Sequence, residues 1–130
     1  MTTDPISNML VTIKNASMVK KPFVVVPYSN LKMAIAEVLV KEGYLTAANK
    51  RGKKVKKFIQ CDIAYEAGKS KLTTITRISK PSRRVYKRVV DLRSVRQGQG
   101  IAVLTTPQGV MTEKEAKVAK VGGELLFTLW

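Results

Sequence analysis

The chain has 130 residues, 45% hydrophobic and 25% charged, which is enough for one ordinary domain or two small ones with a real core. Its 24 Lys and Arg residues outnumber 9 Asp and Glu residues, and the resulting net charge of +15 indicates a polyanionic partner. With no His and one Cys, the chain offers no intrachain disulfide and no His or Cys metal site, and no targeting segment or bilayer-length apolar stretch is visible. We therefore expect a soluble protein of a reducing compartment, without metal or cofactor.

The first half of the chain begins with a predicted helix, strand and helix. Asp4-Pro5 is typical of a helix start, because a capping carboxylate precedes proline at the first helical position, and apolar residues then recur at helical spacing. The β-branched run over residues 23–26 predicts a strand. Ser29 or Asn30 is then a candidate cap for a second helix, which Gly43 terminates.

Three strands are predicted to complete the first half. Residues 44–48 and 58–63 read as two strands around the polar segment 49–54, and residues 72–78 read as a third. The turn signal at residues 80–82 is the best candidate boundary, so we predict units of residues 1–78 and 79–130.

The second half is predicted to be mostly β with short helices. The whole chain is thus an α+β protein of two small packed α/β subdomains, the first with the order helix, strand, helix and three strands. The predicted elements of the second half are a short strand around Val85 and Tyr86, a short helix over 91–96, a strand over 101–104, a loop over 105–110, a helix with a capping box from Thr112 to Glu115 that Gly122 and Gly123 end, and a strand over 125–130.

The basic charge is spread over both halves. Up to Thr76 there are 13 basic and 5 acidic residues, and beyond it 11 and 4, so the halves carry +8 and +7. Two clusters stand out: a Lys-rich hairpin cluster suited to diffuse phosphate neutralisation, and an Arg-rich cluster suited to forked phosphate contacts and stacking. Solvated, merely solubilising surfaces are the alternative reading. The clusters are Lys50, Arg51, Lys53, Lys54, Lys56 and Lys57, and Arg77, Lys80, Arg83, Arg84, Lys87 and Arg88, the second with Tyr86.

Among polyanions, RNA fits this sequence best. A membrane surface favours a basic amphipathic helix, but the first two predicted helices carry few basic residues. Specific reading of the DNA major groove favours a helix-turn-helix, a zinc finger or a long basic helix, and none is visible. The basic residues lie mostly on predicted strands and turns, which suits RNA recognised by shape, stacking and sugar hydroxyls. Nonspecific compaction of DNA remains a competing function, and no membrane binding is expected.

No arrangement of residues indicates catalysis, so we predict that the chain is not an enzyme. The nine carboxylates are dispersed, which leaves no short-spaced acid and base pair. Residues 98–100 begin like a dinucleotide fingerprint but lead into a strand, and Ser29 with Lys32 matches an acyl-enzyme spacing without its companion motifs. Cys61 has no His to activate it. An RNA-modifying enzyme remains the competing hypothesis.

The segment from Thr105 to Val110 offers two hydroxyls, an amide and a glycine before a predicted helix start. Such a loop can present hydrogen-bonding groups to phosphate, sugar and base edges. An ordinary strand-loop-helix junction explains it equally well.

Nine short segments occur in an order that resembles the bacterial ribosomal protein S8 family of the small subunit, and the resemblance spans essentially the whole chain. They are Asp4-Pro5-Ile6 with Met9-Leu10, Ile13-Lys14-Asn15-Ala16, Pro27-Tyr28-Ser29, Glu42-Gly43-Tyr44, Ser79-Lys80-Pro81, Arg84-Val85-Tyr86-Lys87-Arg88, Gly100-Ile101-Ala102-Val103, Gly109-Val110-Met111-Thr112 and Gly122-Gly123-Glu124.

The resemblance implies a cytoplasmic, ribosomal location and a structural role. It implies binding to an irregular helix in the central domain of small-subunit (16S) rRNA early in assembly. It further implies ribosomal protein S5 as a neighbour, translational autoregulation in some bacteria through the operon mRNA, and a monomer when free.

The resemblance also assigns site residues by position. Tyr86, Thr105, Thr106, Gly109, Gly122, Gly123 and Glu124 would form the main RNA-binding surface, and Lys14, Asn15, Lys32, Arg83, Arg84 and Lys87 would contact the RNA backbone.

In one loop the chain departs from the family's usual pattern. The family's loop usually reads Ser-Thr-Ser-Lys-Gly, whereas this chain has Pro107 and Gln108 in the third and fourth places, so one hydroxyl and one positive charge are absent.

Glu124 is not attracted to phosphate. It can accept from sugar hydroxyls or base amino groups, orient a neighbouring Arg, or simply start a strand.

Overall fold

The computed structural model describes residues 5–53, 56–66, 68–70, 72, 74–80, 82–95 and 100–130. The chain divides into two compact units, Pro5–Leu72 and Thr73–Trp130. The elements are, in order, helix α1 (Pro5–Met18), strand β1 (Phe23–Pro27), helix α2 (Asn30–Lys41), strands β2 (Leu45–Lys53), β3 (Lys56–Ile63), β4 (Tyr65–Glu66), β5 (Lys69–Ser70), β6 (Ile75–Arg77) and β7 (Tyr86–Lys87), a 3-10 turn (Val89–Asp91), strands β8 (Ile101–Thr106) and β9 (Gly109–Thr112), helix α3 (Glu113–Ala119) and strand β10 (Gly123–Leu129).

The N-terminal unit packs two helices against a three-stranded antiparallel sheet of order β1-β3-β2. In β3, alternate residues from Ile59 to Ile63 are buried, as expected for a sheet with one covered face. Ile35 of α2 and Ile59 are fully buried, and Met9 of α1 is almost so. A small hairpin, β4-β5, follows the sheet.

The apolar face of α1 and the residues that begin and end α2 are as predicted. The apolar face of α1 is buried, whereas its predicted cap Asp4 lies outside the described residues. The hydroxyl oxygen of Ser29 accepts from the Lys32 amide at 3.1 Å, so Ser29 caps α2. Gly43 follows the helix with φ of +87°, a conformation that favours glycine. Leu31, in the first turn of α2, is exposed, whereas Ile35, Val38 and Leu39 are buried.

The C-terminal unit is a sheet of order β6-β10-β8-β9, and β7 also pairs with β10. Because β8 occupies one edge of β10 along most of its length, β6 and β7 share the other. Leu104, Leu92 and Ala116 form a buried cluster, to which α3 contributes Ala116. The predicted α+β class is confirmed.

Three N-terminal expectations differ from the structure. The sequence predicts the polar segment 49–54 as a connection between strands, but Leu45–Lys53 pairs with Lys56–Ile63 and extends well beyond the core. This is possible because the strands of a hairpin are joined by backbone hydrogen bonds, which do not require buried side chains. The strand expected over 72–78 is only Ile75–Arg77, and it pairs with β10. That pairing places β6 in the C-terminal unit, so the units divide after Leu72 rather than after residue 78.

Three C-terminal expectations also differ. Instead of a helix over 91–96, the described residues hold a 3-10 turn that ends at Asp91, and Arg96 lies outside them. The loop expected over 105–110 is mostly strand, because β8 and β9 form a hairpin whose turn is residues 107–108. Helix α3 ends before the glycine pair, since Lys120 adopts the left-handed conformation at its C-cap. The capping box at Thr112 and Glu115 is confirmed.

Candidate nucleic-acid interface

Three candidate residues lie side by side on neighbouring strands. Glu124 of β10 is the cross-strand partner of Tyr86 in β7 and of Thr105 in β8. Directly opposite residues of antiparallel strands point to the same face of a sheet, so these three side chains form one row, called the Tyr86 row below. The neighbouring residue Leu104 points to the other face, where it clusters with Ala116 of α3. The Tyr86 row therefore lies on the sheet face away from α3.

The aromatic end of the row is open. Tyr86 is 69% exposed, whereas Thr105 is half-buried. Tyr86 also lines an open depression of about 410 Å³ together with Lys87, Val89 and the Gly122-Gly123 pair. An exposed tyrosine ring beside basic side chains can stack on an unpaired base while the cations contact phosphate.

The glycine pair is required by the protein's own strands. A β-carbon at Gly122 would overlap the carbonyl oxygen of Lys87, and one at Gly123 would overlap that of Thr105. Lys87 is also the cross-strand partner of Gly123. The two glycines therefore bring β7 and β8 close to β10, which assembles the row. The sequence predicts that these glycines end α3, and the resemblance assigns them to the RNA-binding surface. The close packing of β7 and β8 against β10 is sufficient to explain both.

Glu124 is held by two donors. The Ser79 hydroxyl donates to Oε2 at 2.5 Å, and Nη1 of Arg84 lies 3.3 Å from the same oxygen. The Glu124 side chain is 11% exposed, whereas that of Arg84 is 57% exposed. The structure therefore shows one of the roles considered for Glu124, the orientation of a neighbouring arginine.

Thr106 holds the β8-β9 turn. Its hydroxyl donates to the carbonyl of Gly109 at 2.9 Å and accepts from the amide of Gln108 at 3.1 Å. Gly109 has φ of +118°, which is strained for a residue with a β-carbon. Thr106 and Gly109 are cross-strand partners, and Thr106 directly follows Thr105, the last residue of the Tyr86 row. Pro107 lies in the turn itself, where its fixed φ is tolerated.

The remaining basic candidates of this unit differ in their surroundings. Arg83 is exposed, and its backbone pairs with that of Lys80 in a tight turn outside the row. Lys87 is exposed on β7, next to Tyr86. Arg88 donates from Nε to Asp91 at 3.0 Å, and this hydrogen bond lowers the pKa of the Asp91 carboxyl.

The N-terminal unit holds the other three predicted site residues. Asn15 is exposed and Lys14 half-buried, both near the end of α1. Lys32 is only 9% exposed, and Nζ donates to the Pro27 carbonyl at 3.4 Å. With Asn8 of α1, Lys32 lines a groove between α1 and β1. Neither Lys14 nor Asn15 is among the described residues that line this groove, so the three site residues predicted in this unit lie in two separate places.

Four basic residues of the hairpin cluster have described side chains: Lys50, Arg51, Lys56 and Lys57, all exposed. Nζ of Lys50 lies 4.8 Å from the centre of the Tyr28 ring, a cation–π distance. Lys54 and the side chain of Lys53 lie outside the described part of the structure.

Cys61 lies in the core of the N-terminal unit and is fully buried. Burial, together with the neighbouring Asp62 carboxylate, raises the pKa of its thiol to about 11. The described part of the chain contains no group of three His, Cys, Asp or Glu side chains that could hold a metal ion. None of the described helices is long and apolar enough to cross a membrane.

Sequence reasoning gave no role to Ser79 or Asn8. Ser79 occurs in a segment that carries the family resemblance, but its contact with Glu124 joins residues 45 positions apart. Asn8 faces the groove of Lys32 only because α1 packs beside β1. Neither relationship has a local sequence signal.

The fold and the Tyr86 row define a small basic α+β protein of two units with an exposed, cation-flanked sheet face. Residues 4–130 match the family model described as ribosomal protein S8. Three similar proteins are each named small ribosomal subunit protein uS8. That of Dictyoglomus thermophilum is 44% identical over 98% of both chains, that of Mycoplasmopsis agalactiae 43% over 98% of both, and that of Leptothrix cholodnii 44% over 95% of both. This chain belongs to the ribosomal protein S8 family.

Proposed function

We propose that this chain is a structural protein of the small ribosomal subunit that binds small-subunit rRNA through the Tyr86 row. Family membership and the names of the similar proteins support the ribosomal role. The single observation that carries the binding surface is the row itself, in which Tyr86, Glu124 and Thr105 are adjacent on one sheet face with Arg84 paired to Glu124. The target is an irregular helix of the central domain of the rRNA.

The row offers contacts of several kinds. The exposed ring of Tyr86 stacks on an unpaired base, and the hydroxyl of Thr105 bonds to sugar or base edges. Thr106 keeps the adjoining turn in shape through its bond to Gly109. Arg83, Arg84 and Lys87 neutralise phosphates around the row, which supplies affinity but little selectivity.

The N-terminal unit adds backbone contacts. The ammonium group of Lys32 is largely buried, with one long hydrogen bond to a carbonyl, so a phosphate oxygen entering the groove would supply a strong charge-assisted bond. Asn8 lies in the same groove and offers an amide. Lys14 and Asn15 contact the RNA backbone from a separate part of α1.

The proposal includes the chain's surroundings. It acts in the cytoplasm as part of the ribosome, next to ribosomal protein S5, without catalysing a reaction. It is a monomer before assembly, and in some bacteria a similar structure in the operon mRNA would bind the same surface and repress translation.

The test compares two RNAs with the full-length protein. One is a hairpin that contains the irregular central-domain helix, and the other is a perfectly paired duplex of equal length. We expect the protein to prefer the hairpin and Tyr86→Ala to lose about tenfold on it, in the range of one stacked base, with little change on the duplex. Phe23→Ala, which truncates an exposed aromatic of the other unit, is the matched control and should bind normally. Equal affinity of the wild-type protein for both RNAs would overturn the proposal that the Tyr86 row recognises this RNA.

A further inference from the structure

Ser79 lies at the centre of the contacts that fix Glu124. It is fully buried, and its hydroxyl both donates to Oε2 of Glu124 at 2.5 Å and accepts from the Val85 amide at 3.2 Å. Its own amide donates to the carbonyl of Leu126 in β10. The hydroxyl thus joins the segment before β7 to the Glu124 side chain, with its own backbone anchored to the central strand.

The two contacts to Glu124 use one oxygen. Ser79 and Arg84 both approach Oε2, so among the described residues Oε1 receives no hydrogen bond. A carboxylate beside an RNA surface repels phosphate and accepts only from N–H and O–H groups. Arg84 offsets the negative charge. Ser79 restricts the rotamer of Glu124, because Oε2 of Glu124 is the only acceptor that the described contacts show for its buried hydroxyl.

We propose that Ser79 is a positioning residue for RNA recognition: it fixes Glu124 so that Oε1 accepts a hydrogen bond from a donor on the RNA, a base amino group or a ribose hydroxyl. This inference rests on the proposed function of the Tyr86 row and adds a specificity device to it. Selectivity arises because a bent or unpaired site presents such a donor, whereas a regular duplex presents phosphates along its edges.

The experiment is a double-mutant cycle with the irregular hairpin and the matched duplex. Ser79→Ala should lose about tenfold on the hairpin, the value of one hydrogen bond to a charged group, and less than about twofold on the duplex. In the Glu124→Ala background, the further loss on Ser79→Ala should fall below about twofold, because the group that Ser79 orients is gone. A hairpin with 2′-deoxy nucleotides at the site separates the donors: the effect of Glu124→Ala disappears for a ribose hydroxyl and persists for a base amino group.

Thr112→Val is the control for simple destabilisation. Thr112 is also buried in the C-terminal unit, and its hydroxyl caps α3 without touching Glu124. This variant should lower the melting temperature about as much as Ser79→Ala and leave binding to the hairpin unchanged.

Distinct results separate the two proposals. If Glu124→Ala weakens hairpin binding but the loss on Ser79→Ala is fully additive with it, or equals the loss on the duplex, the positioning role is overturned and the proposed function stands. If the wild-type protein shows no preference for the hairpin, the proposed function fails and the role of Ser79 fails with it.

Discussion

Gly123 lies so close to Thr105 that a β-carbon at position 123 would overlap the Thr105 carbonyl oxygen. The backbone fixes the position of a β-carbon, and the Thr105 oxygen is itself a backbone atom, so no side-chain rotation relieves the clash. We expect Gly123→Ala to lower the free energy of unfolding by about 3 kcal/mol, at the upper end for overpacking, and to displace β8 from β10. Urea unfolding of the full chain measures this loss.

Gly68→Ala is the control for conformational strain alone. Gly68 has positive φ, at +78°, which Gly123 does not, and a β-carbon at Gly68 would meet open space. We expect a loss of about 1 kcal/mol for this variant. Equal losses in the two variants would mean that the clash with Thr105 is not the reason for glycine at 123.

Structural features that depend on residues close together in the chain could be predicted from the sequence. The cap at Ser29 and the capping box from Thr112 to Glu115 follow from residues three positions apart, and α1 follows from its apolar spacing. Charge counts indicated a polyanionic partner, and the segments around Tyr86 and Gly122 carried the family resemblance.

Non-local pairing was not predictable from the same signals. Strand β6 has an ordinary β pattern, and only its pairing of Arg77 with Phe127 shows to which unit it belongs. The glycine pair looked like a helix terminator because nothing local distinguishes that role from close strand approach. The contact of Ser79 with Glu124 depends on tertiary structure in the same way.

Thr106 provides a test of turn geometry at the edge of the Tyr86 row. Its hydroxyl makes two hydrogen bonds within the turn, so Thr106→Ala should destabilise the protein by about 1 kcal/mol and weaken hairpin RNA binding about five- to tenfold. Thr106→Ser keeps the hydroxyl and should bind within about twofold of the original chain. Gel-shift titrations with the irregular hairpin give both values. If the serine variant binds as poorly as the alanine variant, the methyl group rather than the hydroxyl is what matters.

The hairpin cluster should contribute affinity without selectivity. Lys56 and Lys57 are exposed, and replacement of both by Gln should reduce the slope of log affinity against log salt by roughly 1 to 2, as expected for lost phosphate contacts. The preference for the irregular helix over the duplex should remain. The control replaces Lys114 and Lys117 of α3 by Gln, which gives the same net charge on the element opposite the Tyr86 row. A slope that changes equally in both double variants would mean that only net charge matters.

The two units carry separate natural probes of unfolding. Cys61 is the only cysteine and lies in the core of the N-terminal unit, whereas Trp130 is the only tryptophan and ends the C-terminal unit, where its backbone pairs with that of Thr74. Because the pKa of the Cys61 thiol is raised to about 11, only about one thiol in a thousand is ionised at pH 8, and burial blocks access as well. We therefore expect a thiol reagent to leave the native protein unmodified at pH 8 and to modify it in urea.

If both units unfold as one cooperative system, the urea midpoint for Cys61 labelling will coincide with that for Trp130 fluorescence. Gly123→Ala would then shift both midpoints together, whereas a shift of the Trp130 midpoint alone would show that the units unfold independently.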